Sequence, residues 1–413
     1  MADTTMNLSE LVDKAEHTDD IDWLREGLRM LAQALMEAEA TQHAGAAHGE
    51  RAPDERTAQR NGYRPRRWDT RVGTVELAVP KLRSGPSYFP SFLEARRRAE
   101  RSLCQVVAQC YVEGVSTRKV EDVAAQMGVT SLSKSQVSRI AGDLDELVEA
   151  WRPRPLEAGP YPLMWIDALS VKVREGGRIV ATSVLVATAV NADGRREILG
   201  CELGSAEDGA TWTQFLRGLV ARGLHGVRLV TSDAHGGIIE AIAAVLDGAA
   251  WQRCRTHAMR NLLATVPRHA QQLVASLVRT IFAQDRPEDA WAQHAHVVAT
   301  LAEKGFADAA ALLEEAATDL LAYTALPRAV WPRVWSNNPQ ERLNKEIRRR
   351  TDVVGIFPDR NAVVRLVGAV LAEQHDEWQV GRRYISHDAI RRCLIDTIDP
   401  NQQEAPAALS VTA

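Results

Sequence analysis

Cysteine is scarce here. Cys104, Cys110, Cys201, Cys254 and Cys393 are an odd number in 413 residues. They make no disulfide framework, and a reducing cytoplasm suits them. Long apolar runs are missing too: nothing reaches the length of a membrane span, and the N-terminus shows no signal-peptide pattern. No membrane partner is therefore expected. Charge of one sign is also lacking. A net charge of −4 excludes a uniformly basic protein, but that figure averages over unequal segments. Between Arg51 and Arg101, 13 Lys and Arg stand against 6 Asp and Glu, while acidic residues gather elsewhere, as from Asp3 to Glu39. Such asymmetry points to a local polyanion-binding surface. What remains is ordinary: 45% apolar and 25% charged residues mark a globular protein long enough for two or three domains.

Ile21, Leu24, Leu28, Leu31 and Leu35 recur at steps of three and four, an amphipathic helix suited to packing or to a dimer contact. The stretch from Gln42 to Arg60 has no periodicity and reads as a linker. Next, Val72, Val75, Leu77 and Val79 among turn glycines and prolines suggest short strands carrying Arg64, Arg66, Arg67, Arg71, Lys81 and Arg83. Arginines mixed with Tyr63, Trp68 and Tyr88 fit phosphate contact with ring packing, whereas a plain charge run is only a solvated face. Helices are expected from Ala99 to Glu113, Thr117 to Met127 and Lys134 to about Ala150, a helix-turn-helix pattern or a plain three-helix bundle. The third opens with Lys134, Gln136, Ser138 and Arg139, side chains able to reach phosphates and base edges.

The proline-rich stretch from Trp151 to Pro162 makes a boundary, and the periodicity then changes. Strands are expected at Leu163 to Val173, Arg178 to Val190, Arg196 to Glu202, Gly226 to Ser232 and Ala249 to Arg253. Helices cover Asp208 to Arg222 and the segment from Gly236 to Leu246. The order reads as a mixed α/β sheet covered by helices. From His257 to about Tyr323 the pattern is almost wholly helical, and Val363 to Trp378 is one more amphipathic helix.

Three acids stand out. Asp167 sits mid-strand on the face of Trp165, Leu169, Val171 and Val173, a costly place for a carboxylate without a partner or a metal. Asp233 stands at the carboxyl end of a short apolar strand. Glu341 opens a later helix, where Asn338 and Pro339 read as cap and first helical residue. Leu343 and Ile347 share one face of that helix; Glu341, Asn344, Lys345 and Arg348 share the other. A capping box would explain Glu341 equally well. Three carboxylates converging on one point can bind two divalent cations and support in-line phosphoryl transfer. Mg2+ prefers such hard oxygen ligands.

Eight stretches carry a resemblance: RNGYRPRRWDTRVGTVELAVPKLRSG, GVSTRKVEDV, SKSQVSR, IDALSVKVRE, LVTSDAHGG, WQRCRTHAMRNLL, PQERLNKEIRRRTDVVGIFP and HDEWQVGRRY. Over residues 60 to 385 the chain resembles the mutator-type transposases of bacterial insertion sequences, a branch of the DDE transposases. The resemblance implies a multidomain α+β protein: an N-terminal helical helix-turn-helix region and a ribonuclease-H-like mixed α/β catalytic domain with an all-α insertion. It assigns catalysis and metal binding to Asp167, Asp233 and Glu341, the last being the glutamate of PQERLN rather than Glu346. In ribonuclease-H-like folds the first and fourth strands are neighbours, which would bring Asp167 beside Asp233. Ser336, Asn337 and Asn338 stand where Ser-Thr-Asn is expected, a mild departure, and no catalytic position is broken.

The implied organisation is an N-terminal helix and linker (1–60), a basic strand-rich segment (61–98), a helix-turn-helix DNA-binding domain (99–152), the catalytic core in two parts (160–256 and 331–390) around the all-α insertion (257–330), and a C-terminal tail (391–413). The implied activity is Mg2+-dependent DNA cleavage and strand transfer with two ions per site, Mn2+ being able to substitute. Its partners would be terminal inverted repeats and target DNA, in a homodimer or higher oligomer, cytoplasmic and nucleoid-associated. Arg348, Arg349 and Arg350 would hold DNA near the site. Cys254 and His257 form a Cys-x-x-His pair that recurs in the family. Two ligands do not make a zinc site, so the pair reads as a structural brace between insertion and sheet. Two rival functions remain: a DNA-binding regulator without chemistry, and a nuclease or junction resolvase that cuts without joining.

Overall fold

A computed structural model describes residues 22–46, 56–83, 88–93, 98–115, 117–126, 129, 137, 140 and 142–395. The chain forms two compact units, 1–145 and 146–413.

In the first unit, helix α1 (Asp22–Ala44) lies on a two-stranded antiparallel hairpin, β1 (Gln59–Thr70) and β2 (Gly73–Arg83). The strands are longer than the pattern suggested. Helix α1 buries Ala32, Met36 and Ala40 against Val75, Leu77 and Val79, and Ala44 is buried at its end. Of the expected leucine stripe, Leu28 packs against this core, whereas Leu31 is 68% exposed and Leu24 and Leu35 are exposed too. Helices α2 (Arg101–Val112) and α3 (Thr117–Gln126) share a core of Leu103, Val107, Val120 and Ala124 with Val129 and Val137. Lys134, Gln136, Ser138 and Arg139 lie outside the described residues.

The second unit is a mixed sheet between helical layers. After helix α4 (Asp143–Trp151) come β3 (Leu163–Glu175), β4 (Arg178–Val190), β5 (Arg196–Gly204), β6 (Leu229–Ser232), β7 (Ala250–Arg253) and β8 (Ile356–Phe357). The order is β5-β4-β3-β6-β7. Strands β3, β4 and β5 are antiparallel neighbours, whereas β6 and β7 run parallel to β3. Strand β8 also pairs with β3, at Lys172 and Val173.

Alternation along β3 builds two cores. Met164 and Ile166 face α5 (Gly209–Ala221) and α6 (Gly236–Val245), packing with Trp212, Leu216, Ile238 and Ile242. Leu163 and Trp165 face the helical block that begins with α7 (Arg255–Ala264), α8 (Gln271–Ile281), α9 (Pro287–Glu303) and α10 (Ala307–Glu315). That block shares its core with the sheet, through Leu262, Val278 and Trp331. The proline-rich stretch is stitched to the sheet side, where Leu156 donates its amide to Arg222 and Tyr161 to His225. Helices α11 (Ala317–Leu320), α12 (Trp331–Val334), α13 (Asn338–Val354), α14 (Arg360–Val380) and α15 (His387–Ile395) complete the unit. Among the described residues no helix is long and apolar enough to cross a membrane.

Candidate functional site

Parallel pairing of β3 with β6 matches Leu163 with Leu229 and Trp165 with Thr231. Carried two residues further, this register sets Asp233, immediately after β6, abreast of Asp167. Asp167 continues the Leu163 and Trp165 face, toward the helical block. Asp167 Oδ1 accepts its neighbour Ala168's amide at 2.9 Å, and Oδ2 accepts Asn344 Nδ2 at 2.7 Å. Burial pushes the Asp167 carboxyl up to about 7; Asp233 adds to the rise, while the Ala168 amide and His257 oppose it.

Helix α13 brings the third acid. Its cap is Asn337 rather than the expected Asn338, and the cap side chain makes no capping bond. Asn337 is wholly buried and committed elsewhere: its amide donates to Cys254 Sγ at 3.2 Å and its Nδ2 to the Ile166 carbonyl at 3.3 Å. The capping-box position therefore falls on Gln340, whose Oε1 accepts from Thr188 Oγ1 at 2.8 Å. Glu341 forms no capping box. It lies one turn before Asn344, on the same helix face, so the residue that reaches Asp167 and the third acid project together.

Glu341 Oε1 stands 3.7 Å from His257 Nε2. The imidazole's pKa is raised, first by its bond to Cys254 and then by the charges of Cys254, Glu341 and Asp233, against burial. Burial would raise the Cys254 thiol, but the bond to His257 and the Asn337 amide outweigh it, so its pKa falls. Two carboxylate oxygens, Asp233 Oδ1 and Glu341 Oε1, are buried without a hydrogen-bond partner. Unpartnered buried acceptors are costly unless a cation completes them, and carboxylate oxygens are the donors a hard divalent ion prefers.

The sequence reading missed two features here. Glu207, before α5, is a fourth acid beside Asp233 and Asp167; burial first and Asp233 second raise its pKa. It stands in no motif, and only the tertiary fold brings it in. Gln340 is the second, the buried link between Thr188 and Asn344. A glutamine next to Glu341 gives no signal without knowing which turn of the helix is covered.

The expected DNA contacts divide. Arg348 is exposed, and Arg349 pairs with Glu346 at 3.2 Å. Arg350 is 8% exposed and donates to Glu346 at 2.9 Å. Three consecutive residues span about 200° of a helix, so they point in different directions. In the first unit Arg64 and Arg66 lie over the Phe89 ring at 5.8 and 5.1 Å, and exposed Arg67 pairs loosely with Glu76. Of the aromatics interleaved with these arginines, Tyr63 is 46% exposed. Tyr88 is buried with its hydroxyl on Glu39, and Trp68 tilts against Phe92.

A family model described as "Transposase, Mutator family" matches residues 1–381. A Mycobacterium tuberculosis protein described as "Transposase for insertion sequence element IS1081" is 54% identical over 395 residues, covering 95% of this chain and 94% of that protein. A Rhizobium meliloti relative, "Transposase for insertion sequence element ISRM5", is 40% identical over 90% of this chain and 92% of its own length. A Staphylococcus aureus relative, "Transposase for insertion sequence element IS256 in transposon Tn4001", is 36% identical, covering 93% and 98%.

Proposed function

This chain belongs to the Mutator family of transposases, and from that premise we propose that it binds the terminal inverted repeats of an insertion sequence, cleaves the element ends to free 3′-hydroxyls, and joins them to target DNA. What supports a phosphoryl-transfer site is one arrangement. The β3–β6 register aligns Asp167 with Asp233, and Asn344 ties Glu341's helix face to Asp167. The strand order, three antiparallel strands followed by two parallel ones with acids on adjacent strands, supports a ribonuclease-H-like core.

In this reading Asp167, Asp233 and Glu341 would hold two Mg2+ ions, with Mn2+ able to replace them. The ions would supply activation of the attacking oxygen and stabilisation of the leaving oxygen. The chain's own groups supply the geometry. Asn344 and the Ala168 amide fix both oxygens of Asp167, so the carboxylate enters the reaction already oriented. His257 lies against Glu341 and limits its swing. Exposed Arg348 and Arg349 offer charge to phosphates near the site, and Arg64, Arg66 and Arg67 do so in the first unit. Water is the nucleophile in cleavage, and the freed 3′-hydroxyl is the nucleophile in joining. The working species is a homodimer or higher oligomer acting on the nucleoid in the cytoplasm.

A strand-transfer assay with labelled element ends tests this. Joined product in Mg2+ or Mn2+ is expected. Cleavage without joining would favour a resolvase-like nuclease, and binding without either would favour a regulator.

A further inference from the structure

The Cys254 thiol, the His257 imidazole and the Glu341 carboxylate form a second constellation. One ligand atom from each lies within 4.8 Å of the others, and among the described residues this is the metal-ligand set that comes so close. The three acids of the proposed catalytic site do not close to that spacing. The spacing along the sequence hid the set, because Cys254 and His257 flank the start of α7 while Glu341 arrives on α13.

The chemistry of the set differs from that of the acids. Cys254 is the N-cap residue of α7, where the helix dipole favours a thiolate. Its sulfur already accepts the Asn337 amide, the kind of outer hydrogen bond that supports a metal-bound thiolate. Glu341 Oε1 is buried without a hydrogen-bond partner, and His257 Nε2 faces it at 3.7 Å. Cys254 itself is wholly buried, but the His257 and Glu341 side chains are 25% and 38% exposed, so the set opens to solvent on their side. Sulfur, nitrogen and oxygen donors with one open side match a three-ligand zinc site that keeps a fourth position for water. A thiolate donor disfavours Mg2+ and selects a softer ion.

We propose that Cys254, His257 and Glu341 form a Zn2+ site that shares Glu341 with the acid cluster. Zinc held there occupies the Glu341 carboxylate, so Zn2+ and the hard cation compete for one side chain. The site stands on its own ligands, and only the competition rests on the transposition reading.

Full-length protein loaded with Co2+ as a spectroscopic substitute tests the site directly. A thiolate-to-Co2+ charge-transfer band is expected, together with binding of one Zn2+ per chain in competition with a chromophoric chelator. Cys254→Ser should abolish the band and weaken Zn2+ binding by at least about a hundredfold, since even outer-shell partners of a metal are worth about 10–100-fold. His257→Gln and Glu341→Gln should weaken Zn2+ binding while leaving the band. Raising Mg2+ should weaken apparent Zn2+ binding in the wild type and not in Glu341→Gln. Absence of the band from folded wild-type protein overturns the proposal, whatever the variants do. So does a band that persists in Cys254→Ser, which would trace to another cysteine. If the band behaves as expected but Mg2+ has no effect, the competition is wrong.

Discussion

Asn344 donates its side-chain amide to Asp167 Oδ2 at 2.7 Å, joining the 338–354 helix to the central strand of the sheet. Behind it, Gln340 Nε2 approaches Asn344 Oδ1 at 3.4 Å and Gln340 Oε1 accepts from Thr188 at 2.8 Å. This buried row fixes which way the Asn344 amide faces, so a donor, not an acceptor, meets the aspartate. Replacing Asn344 by Leu should leave Asp167 with the Ala168 amide alone. Strand transfer should fall about 10–100-fold, the range seen for partners of metal ligands, and more Mg2+ should be needed for half-maximal rate. Asn344→Asp should be worse, because it sets a like charge against Asp167. Unchanged Mg2+ dependence in both variants would sink the positioning role.

Glu341 decides the acid site. Glu341→Gln keeps the side chain's size, and no capping bond is lost because none is made. The variant should fold, bind element ends near wild-type affinity, and lose cleavage and joining by orders of magnitude. Asp167→Asn and Asp233→Asn should match it. Glu346→Gln, on the same helix, should retain most activity, since Glu346 is engaged in ion pairs with Arg349 and Arg350. Strand transfer within a few-fold of wild type for Glu341→Gln would move the site to another carboxylate, with Glu207 beside Asp167 and Asp233 as the candidate.

The face of α1 can be checked by stability. Met36 is wholly buried, so Met36→Ala should cost about 2–5 kcal/mol. Leu31 is 68% exposed, so Leu31→Ser should change stability by less than about 0.5 kcal/mol. Urea titration of the first unit's unfolding, followed in the full chain, distinguishes the two. A reversed order would return the leucine stripe to the core.

His375 gives a pH signature. Burial, reinforced by the Arg154 charge and opposed by Asp376, lowers its pKa from 6.5 to about 4. Its Nδ1 accepts from the Ile198 amide, and its ring stands edge-on to Trp151. Below pH 6.5 the unfolded chain takes up a proton that the folded chain refuses until about pH 4. Stability attributable to this group is therefore lost as pH falls through that window. Thermal melts should show His375→Gln losing less stability than wild type between pH 7 and pH 5. Parallel curves would show that the ring titrates normally in the fold.

Arg67 and Arg348 test phosphate contact. If each meets one phosphate, its replacement by Ala should weaken binding to all duplexes alike and lower the salt slope by about 1. Arg350→Ala should instead lower stability, because its guanidinium is buried on Glu346. A steeper effect of Arg350→Ala on the salt slope than on the melting temperature would restore it to the DNA-contacting face.

Much was legible in the chain itself. Period-two alternation from Leu163 to Val173, turn residues at Asn191 to Gly194 and the apolar run ending at Ser232 set the strands, because each is a local consequence of side-chain direction and backbone preference. The acids Asp167, Asp233 and Glu341 could be named from their motifs. Tertiary structure decided what the side chains do, because contacts between residues far apart in the chain leave no local pattern. It moved the helix cap to Asn337 through a thiol on another helix, and it drew Asn344 onto Asp167. It turned Arg350 inward and buried the alanine face of α1 instead of Leu24, Leu31 and Leu35. It also joined Cys254 and His257 to Glu341. The shifted cap, the Asn344 bond and the Arg350 pairing were set by which buried polar group found a partner when strand and helix closed on each other, and the α1 face by which residues fit the hairpin.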